Sequence, residues 1–430
     1  MFRIFKSEFF NFEALRLLSF TAHEGGEIAE FFEAVAKIKD NDTDSWYAAW
    51  TEAGRKAETL AADSELSGQR EIARRAFFRA SNYQRAAQFM LNGRDGKDTR
   101  ILKDSERSIS NFWRAANLLD SSIRKLEIPY EGKIRLPAYL HLPHSSKRLP
   151  GKIPLLVNTV GADATQEEIF FIFPMAALDL GYAVLTFEGP GQGIVLRKHN
   201  IPFRPDWEEV VSKVLDFSFD YIEKNRDLDI DKTRVALAGS SMGGYLALRG
   251  AADERVKACI AVDPFYSMWD LLKGRMPQPV IDTFVAGGFA PDSLWDSFLG
   301  LLKWWDVQTR WESDLSFWMH GVNTTADMFR SMMRFTFATA DGTGFLHKVK
   351  CPVFVTGARF SLYTQPEIST DRIYEELVNV PKGKKVKWVG EEAGAGGLQS
   401  KVGAFGILTR KAFAFLDAQF GIDRKIAHSG

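Results

Sequence analysis

Val235-Ala236-Leu237-Ala238-Gly239-Ser240-Ser241-Met242-Gly243-Gly244-Tyr245-Leu246-Ala247 is the stretch that decides the fold. It opens on β-branched and apolar residues, as a buried strand does, and closes on residues that suit a helix. Between the two stands Gly239-x-Ser241-x-Gly243. A serine on a sharp strand-to-helix turn needs small neighbours, because strand and helix come close together there. In that context Ser241 is a candidate nucleophile, Ser240 fills the variable position, and the Met242 backbone N–H can meet an oxyanion.

Outward from this stretch, short apolar runs read as further buried strands: Ile153 to Val160, Tyr182 to Phe187, Ala258 to Val262, Val353 to Thr356 and Val386 to Val389. Helical patterns separate most of them, the βαβ signature of a doubly wound, mostly parallel sheet. Two runs before them, 126–130 and 134–140, are joined by Glu131-Gly132-Lys133 and read as a hairpin, giving the sheet an antiparallel start. Strand, elbow and helix together predict an α/β-hydrolase fold with residues 125–267 and 347–430 as its core.

The stretch 1–124 reads as a helical region. One helix opens near Asp44 as a capping residue, a second follows Ser67-Gly68-Gln69, and a third surrounds Phe112 and Trp113. Residues 268–346 interrupt the strand alternation with helical patterns and hold six of the eleven tryptophans. Inserted above the sheet's carboxyl edge, this interval would be a helical lid. Its aromatics either form the lid's own core or also line a pocket.

The composition excludes several classes. The chain has 430 residues, of which 45% are hydrophobic and 26% charged, as ordinary globular proteins are. Lys plus Arg and Asp plus Glu both number 55, so the basic footprint of a nucleic-acid binder is absent. Two cysteines do not make a disulfide scaffold. No apolar run reaches the roughly 18 residues of a membrane span. Charges at Lys6, Glu8, Glu13 and Arg16 interrupt any signal-peptide core, and the C-terminal residues match no targeting address. The expectation is a soluble cytoplasmic protein with no nucleic-acid or membrane partner; a homodimer is left open.

Other residues carry weaker signals. Gly161 or Ala162, after the third strand, is the candidate second oxyanion donor, and Thr165 with Glu168 also reads as a helix capping box. Asp163 beside them is explained by capping. Glu188, in Glu188-Gly189-Pro190-Gly191-Gln192, lies where ligands bind in open α/β sheets, and either binds substrate or braces its loop. The glycines of that loop lack dinucleotide or P-loop spacing. No cluster has metal-ligand spacing, and no cofactor is expected.

The runs 161–168, 186–193 and 239–245 resemble the fungal α/β hydrolases of polyketide pathways. That group includes polyketide-shortening enzymes and hydrolases of fusarin- and cytochalasan-type clusters, with dihydroxypseudooxynicotine hydrolases as distant relatives. The resemblance spans about 125–420, and the N-terminal helices also fit. It implies a Ser-Asp-His triad, with the Asp after the seventh strand and the His after the eighth. This sequence departs at both. No acid stands near Phe360, and no histidine near Gly397 or Leu398; the next one is His428. A serine hydroxyl without a base in reach is a poor nucleophile.

Two substitutes come forward. Asp263, after the sixth strand, stands where some α/β hydrolases place the triad acid, and it also suits the turn at Pro264. His320, among lid aromatics, is the best substitute base, although such a histidine is also commonly structural. The resemblance implies an enzyme acting on a large apolar polyketide or polyketide–peptide small molecule. Ester or C–C cleavage through Ser241 is one chemistry; cyclisation or condensation without an acyl-enzyme is the other and is slightly favoured. A catalytically silent binding protein is the rival.

Overall fold

The structure, a computed structural model, describes residues 3–91, 96–286 and 291–424. Helices α1 (Glu8–Ser19) and α2 (Ile28–Val35) precede the three legible from periodicity, α3 (Thr43–Leu66), α4 (Arg70–Phe89) and α5 (Thr99–Ala116). The cap of α3 is Asp42 rather than Asp44, since its carboxylate accepts from the Asp44 and Ser45 amides. A hairpin follows, β1 (Ser122–Pro129) with β2 (Arg135–Leu142). Then come β3 (Ile153–Thr159), α6 (Gln166–Ile169), α7 (Pro174–Asp179), β4 (Ala183–Phe187), α8 (Gly193–His199) and α9 (Trp207–Lys224). β5 (Ile230–Ser240), α10 (Met242–Gly250) and β6 (Ala258–Val262) complete the first part of the sheet.

Among the described residues, five α-helices separate β6 from the next strand: α11 (Trp269–Lys273), α12 (Gln278–Val285), α13 (Asp292–Trp305), α14 (Val307–His320) and α15 (Thr325–Met333). The chain ends its described course with β7 (Val353–Ala358), α16 (Thr370–Glu376), β8 (Lys385–Gly390) and α17 (Phe405–Phe420). The eight strands form one sheet in the order β1-β2-β4-β3-β5-β6-β7-β8. β1–β2 and β2–β4 are antiparallel and all other pairs are parallel, as expected of the α/β-hydrolase fold.

Alternation places the residues of each inner strand on two cores. Leu155, Val157 and Leu237 face one side, while Leu156, Ala236 and Ile260 face the other, where Phe413 and Leu416 of α17 cover them. β3, β4 and β6 are buried along their whole length, because helices cover both faces of a parallel sheet. The N-terminal helices join these cores. Phe78 and Phe112 pack on Phe170, and the Trp311 Nε1–H of α14 donates to the Phe89 carbonyl at 2.6 Å.

The tryptophans between β6 and β7 divide. Trp269 and Trp295 pack with Phe284 and Phe329 in a local aromatic core. Trp304 and Trp305 are exposed. Trp311 faces the cavity described next. Parallel strands put the carboxyl ends of β3, β5, β6 and β7 at one edge, so residues 161, 241, 263 and 357 gather there although they are far apart in sequence.

Candidate active site

Ser241 sits at φ 54°, ψ −120°, a strained conformation for a residue with a side chain. Its N–H donates to the Val262 carbonyl at 2.8 Å. The flanking glycines are sterically required. A Cβ on Gly239 would collide with the Gly243 carbonyl, and one on Gly243 would come within 2.9 Å of the Thr159 carbonyl oxygen. The Thr159 hydroxyl donates to the Gly243 carbonyl at 2.9 Å and fastens β3 to α10.

The hydroxyl-bearing turn opens on a cavity of about 280 Å³. Gly161, Ala162, Ser241 and Met242 form its floor at the sheet edge, and Met276, Phe298, Trp311 and Met328 are among the residues from the interval between β6 and β7 that wall it. Among the described residues, the backbone N–H groups of Gly161, Ala162 and Met242 have no carbonyl partner. Amides free at the start of a helix and at a strand end are what an oxyanion needs.

Asp263 lines the same cavity at the end of β6, 4% exposed and with φ 46°. Its Oδ1 accepts from the Thr356 hydroxyl at 2.6 Å and faces the Lys401 ammonium at 2.9 Å. Its Oδ2 is buried without a partner. Lys401 is fully buried and also donates to the carbonyls of Gly357 at 2.6 Å and Gly396 at 2.9 Å. Burial pushes the Lys401 pKa below its ordinary value while the Asp263 carboxylate opposes that shift. Ser400 and Lys401 both adopt positive φ, so the loop after β8 is strained beside the strained Asp263.

Gln399 fills the region near Gly397 and Leu398 where the family resemblance implies a histidine. It is buried and lines the cavity. Its Nε2 donates to the Asp263 backbone carbonyl at 3.0 Å, and its Oε1 accepts from the Ser361 hydroxyl at 2.7 Å. The side-chain amide is held from both ends and has no proton-accepting nitrogen to offer a serine.

Among the described residues no histidine lines the cavity. His320 is turned away from it. Its Nδ1 meets the Ser331 hydroxyl at 3.0 Å, its ring packs edge-on against Phe335, and its Nε2 has no partner. Burial, helped by the charge of Arg334, pushes its pKa down to about 4, so it stays neutral. The structure therefore does not bring it to Ser241. His428 lies outside the described residues.

Glu188 is also absent from the cavity lining. Its two oxygens accept from the Gln166 amide at 2.9 Å and the Ile194 amide at 2.7 Å, which is the bracing alternative. Burial and the charge of Glu167 raise its pKa. Asp163 and Glu168 are not the caps the sequence suggested. Thr165 alone accepts from the Glu168 amide, while both carboxylates turn to Arg16 of α1. Arg16 and Glu13 reach the cavity from the first helix, and neither they, Gln399 nor Lys401 carries a local motif.

A family model described as the alpha/beta hydrolase family matches residues 156–385. An alpha/beta hydrolase of Aspergillus fumigatus, psoB, is 50% identical over 426 residues, covering 98% of this chain and 96% of its own. A hydrolase of Pyricularia oryzae is 44% identical, with 99% of each chain covered. A 20-hydroxy-prefusarin hydrolase of Gibberella moniliformis is 41% identical, covering 99% of this chain and all of its own. The solved 2,6-dihydroxy-pseudo-oxynicotine hydrolase shares the fold, with a TM-score of 0.69 at 21% identity over 95% of this chain and 96% of its own.

Proposed function

This chain belongs to the alpha/beta hydrolase family, and on that premise we propose that it closes a ring in a large, mainly apolar intermediate of secondary metabolism by carbonyl condensation without an acyl-enzyme. The observation that carries this reading is the side-chain set around Ser241. Among the described residues no histidine lines the cavity, and Gln399 and the Lys401-held Asp263 stand there instead. Gln399 cannot take the serine proton, and Asp263, paired with Lys401, is assigned here to the substrate C–H rather than to Ser241, which leaves Ser241 a hydrogen-bond donor rather than a nucleophile.

A carbonyl oxygen lodged at the Ser241 hydroxyl and the amides of Met242 and Gly161 or Ala162 would be polarised, which acidifies the adjacent C–H. The unpartnered Oδ2 of Asp263 takes that proton, and the electron pair of the C–H bond moves onto the held oxygen. The carbanionic carbon then attacks a second carbonyl of the same molecule, forming one C–C bond. The resulting alkoxide takes back the proton that Asp263 holds, so the carboxylate is restored. Met276, Phe298 and Met328 suit an apolar chain and limit the water that would otherwise compete.

Cleavage through Ser241 is the second reading, favoured by the word hydrolase in the name of the 20-hydroxy-prefusarin relative. A fluorophosphonate serine probe separates the two. The expected result is equally slow labelling of wild type and Ser241→Ala. Rapid labelling that vanishes in Ser241→Ala would overturn the condensation reading and install an activated nucleophile.

A further inference from the structure

We propose that Glu13 of α1 is a proton-bearing hydrogen-bond donor for a second carbonyl oxygen of the substrate, so that the cavity selects apolar molecules with two carbonyl groups. The inference rests on the reading of this cavity as the substrate site. Glu13 is 4% exposed and lines the same cavity as Ser241. It belongs to a cluster assembled from distant parts of the chain. Arg16 comes from its own helix, Asp163 and Glu168 from the segment after β3, Arg85 from α4, and Tyr363 from the loop after β7.

The charges in this cluster do not balance. Three carboxyl groups, Glu13, Asp163 and Glu168, meet two guanidinium groups, Arg16 and Arg85; a third, Arg197, also faces Asp163 and Glu168 but is shared with the buried Glu167 and Glu188, so carboxyl groups still outnumber guanidinium groups. Arg16 is committed elsewhere: Nη1 lies 2.6 Å from Asp163, and Nε and Nη2 lie 2.7 and 2.8 Å from Glu168. Arg85 also turns to Glu168, at 3.4 Å. Glu13 is left with one contact to Arg16, at 3.3 Å. An unmatched buried charge is costly, and a proton on the least-bound carboxyl removes it.

That carboxyl is Glu13. Burial pushes its pKa up to about 8, against Arg16 and with the help of the Asp163 and Glu168 charges. For Asp163 burial acts the same way, but Arg16 overcomes it and the pKa falls. A protonated carboxyl has an O–H that needs an acceptor. Arg16 and Arg85 are donors, and the neighbouring Asp163 and Glu168 carboxylates are turned to Arg16, so the acceptor is drawn from the cavity that Glu13 lines. Arg16, which contacts Glu13, also holds Asp163, two residues beyond Gly161, and all four line the one cavity. A carbonyl compound has the acceptor that both ends lack.

Two measurements test this. Infrared difference spectra between wild type and Glu13→Gln are expected to show a protonated carboxyl band at pH 6 that disappears as pH rises through about 8. Binding of tridecane-2,8-dione and tridecan-2-one is then compared by calorimetry at pH 6 and 9.5. In wild type the dione is expected to bind about tenfold more tightly at pH 6, and to lose that advantage at pH 9.5. Glu13→Gln, whose amide donates at any pH, should keep the advantage at both values; Glu13→Leu should show it at neither. An absent infrared band, or a dione advantage that persists at pH 9.5 in wild type, overturns the role of Glu13 alone. Failure of both ketones to bind wild type overturns the cavity as the substrate site, and this proposal with it.

Discussion

Replacing Lys401 with methionine keeps an unbranched stem and removes the only cation that faces Asp263 among the described residues. Lys401 is fully buried, and its three ammonium donors reach Asp263, Gly357 and Gly396. Breaking a buried ion pair from one side costs about 3–5 kcal/mol, because the other charge stays buried without its partner. The two carbonyls each lose a hydrogen bond worth about 1 kcal/mol. Protonation of Asp263 would return part of this, so the expected net loss is about 4–6 kcal/mol, a large share of the roughly 5–15 kcal/mol that folded proteins have. Asp263→Asn added to Lys401→Met removes the stranded charge while keeping the side-chain shape. The double variant should therefore be more stable than Lys401→Met alone by about 2 kcal/mol, the non-additivity expected of partners in contact. Urea unfolding of wild type, both single variants and the double variant, followed by tryptophan fluorescence, measures all four corners of the cycle. The reasoning is refuted if Lys401→Met lies within about 1 kcal/mol of wild type, or if the two single losses simply add.

Two more outcomes follow from the site. Gln399→His puts an imidazole in the cavity beside Asp263, and general-base help is commonly worth about 10²–10⁴-fold; fluorophosphonate labelling of Ser241 should accelerate at least tenfold, and an unchanged rate would mean the 399 side chain cannot reach the hydroxyl. Glu188 has a pKa raised from 4.5 to about 7 by burial and by Glu167, so the folded chain binds its proton more tightly than the unfolded chain, and its contribution to stability falls as pH rises from 4.5 to about 7. Glu188→Gln, whose amide does not titrate, should flatten the dependence of Tm on pH between 5 and 7; a slope identical to wild type would contradict it.

The elbow was legible because its physics is local. A strand, a serine that must stand at positive φ and a helix are consecutive in the chain, and the two glycines answer clashes within five residues of each other or with the neighbouring strand. Asp263 was legible for a similar reason, since a residue directly after a buried parallel strand must lie at the carboxyl edge. The strand alternation likewise followed from apolar periodicity alone. His320 misled because a helix presents different faces to different neighbours: Met319 lines the cavity, and the next residue points to Ser331 and Phe335.

What the sequence by itself determined is the fold class, the elbow and the lack of a histidine at the usual triad position. Only the tertiary structure decided what stands in its place. Lys401 meets Asp263 from 138 positions later in the chain, and Arg16 meets Asp163 and Glu168 across 147 and 152 positions. Such pairs leave no periodicity and no spacing to read. They exist because burial makes an unpaired charge expensive, and the packing of α1 and of the loop after β8 against the sheet edge brings the partners within reach.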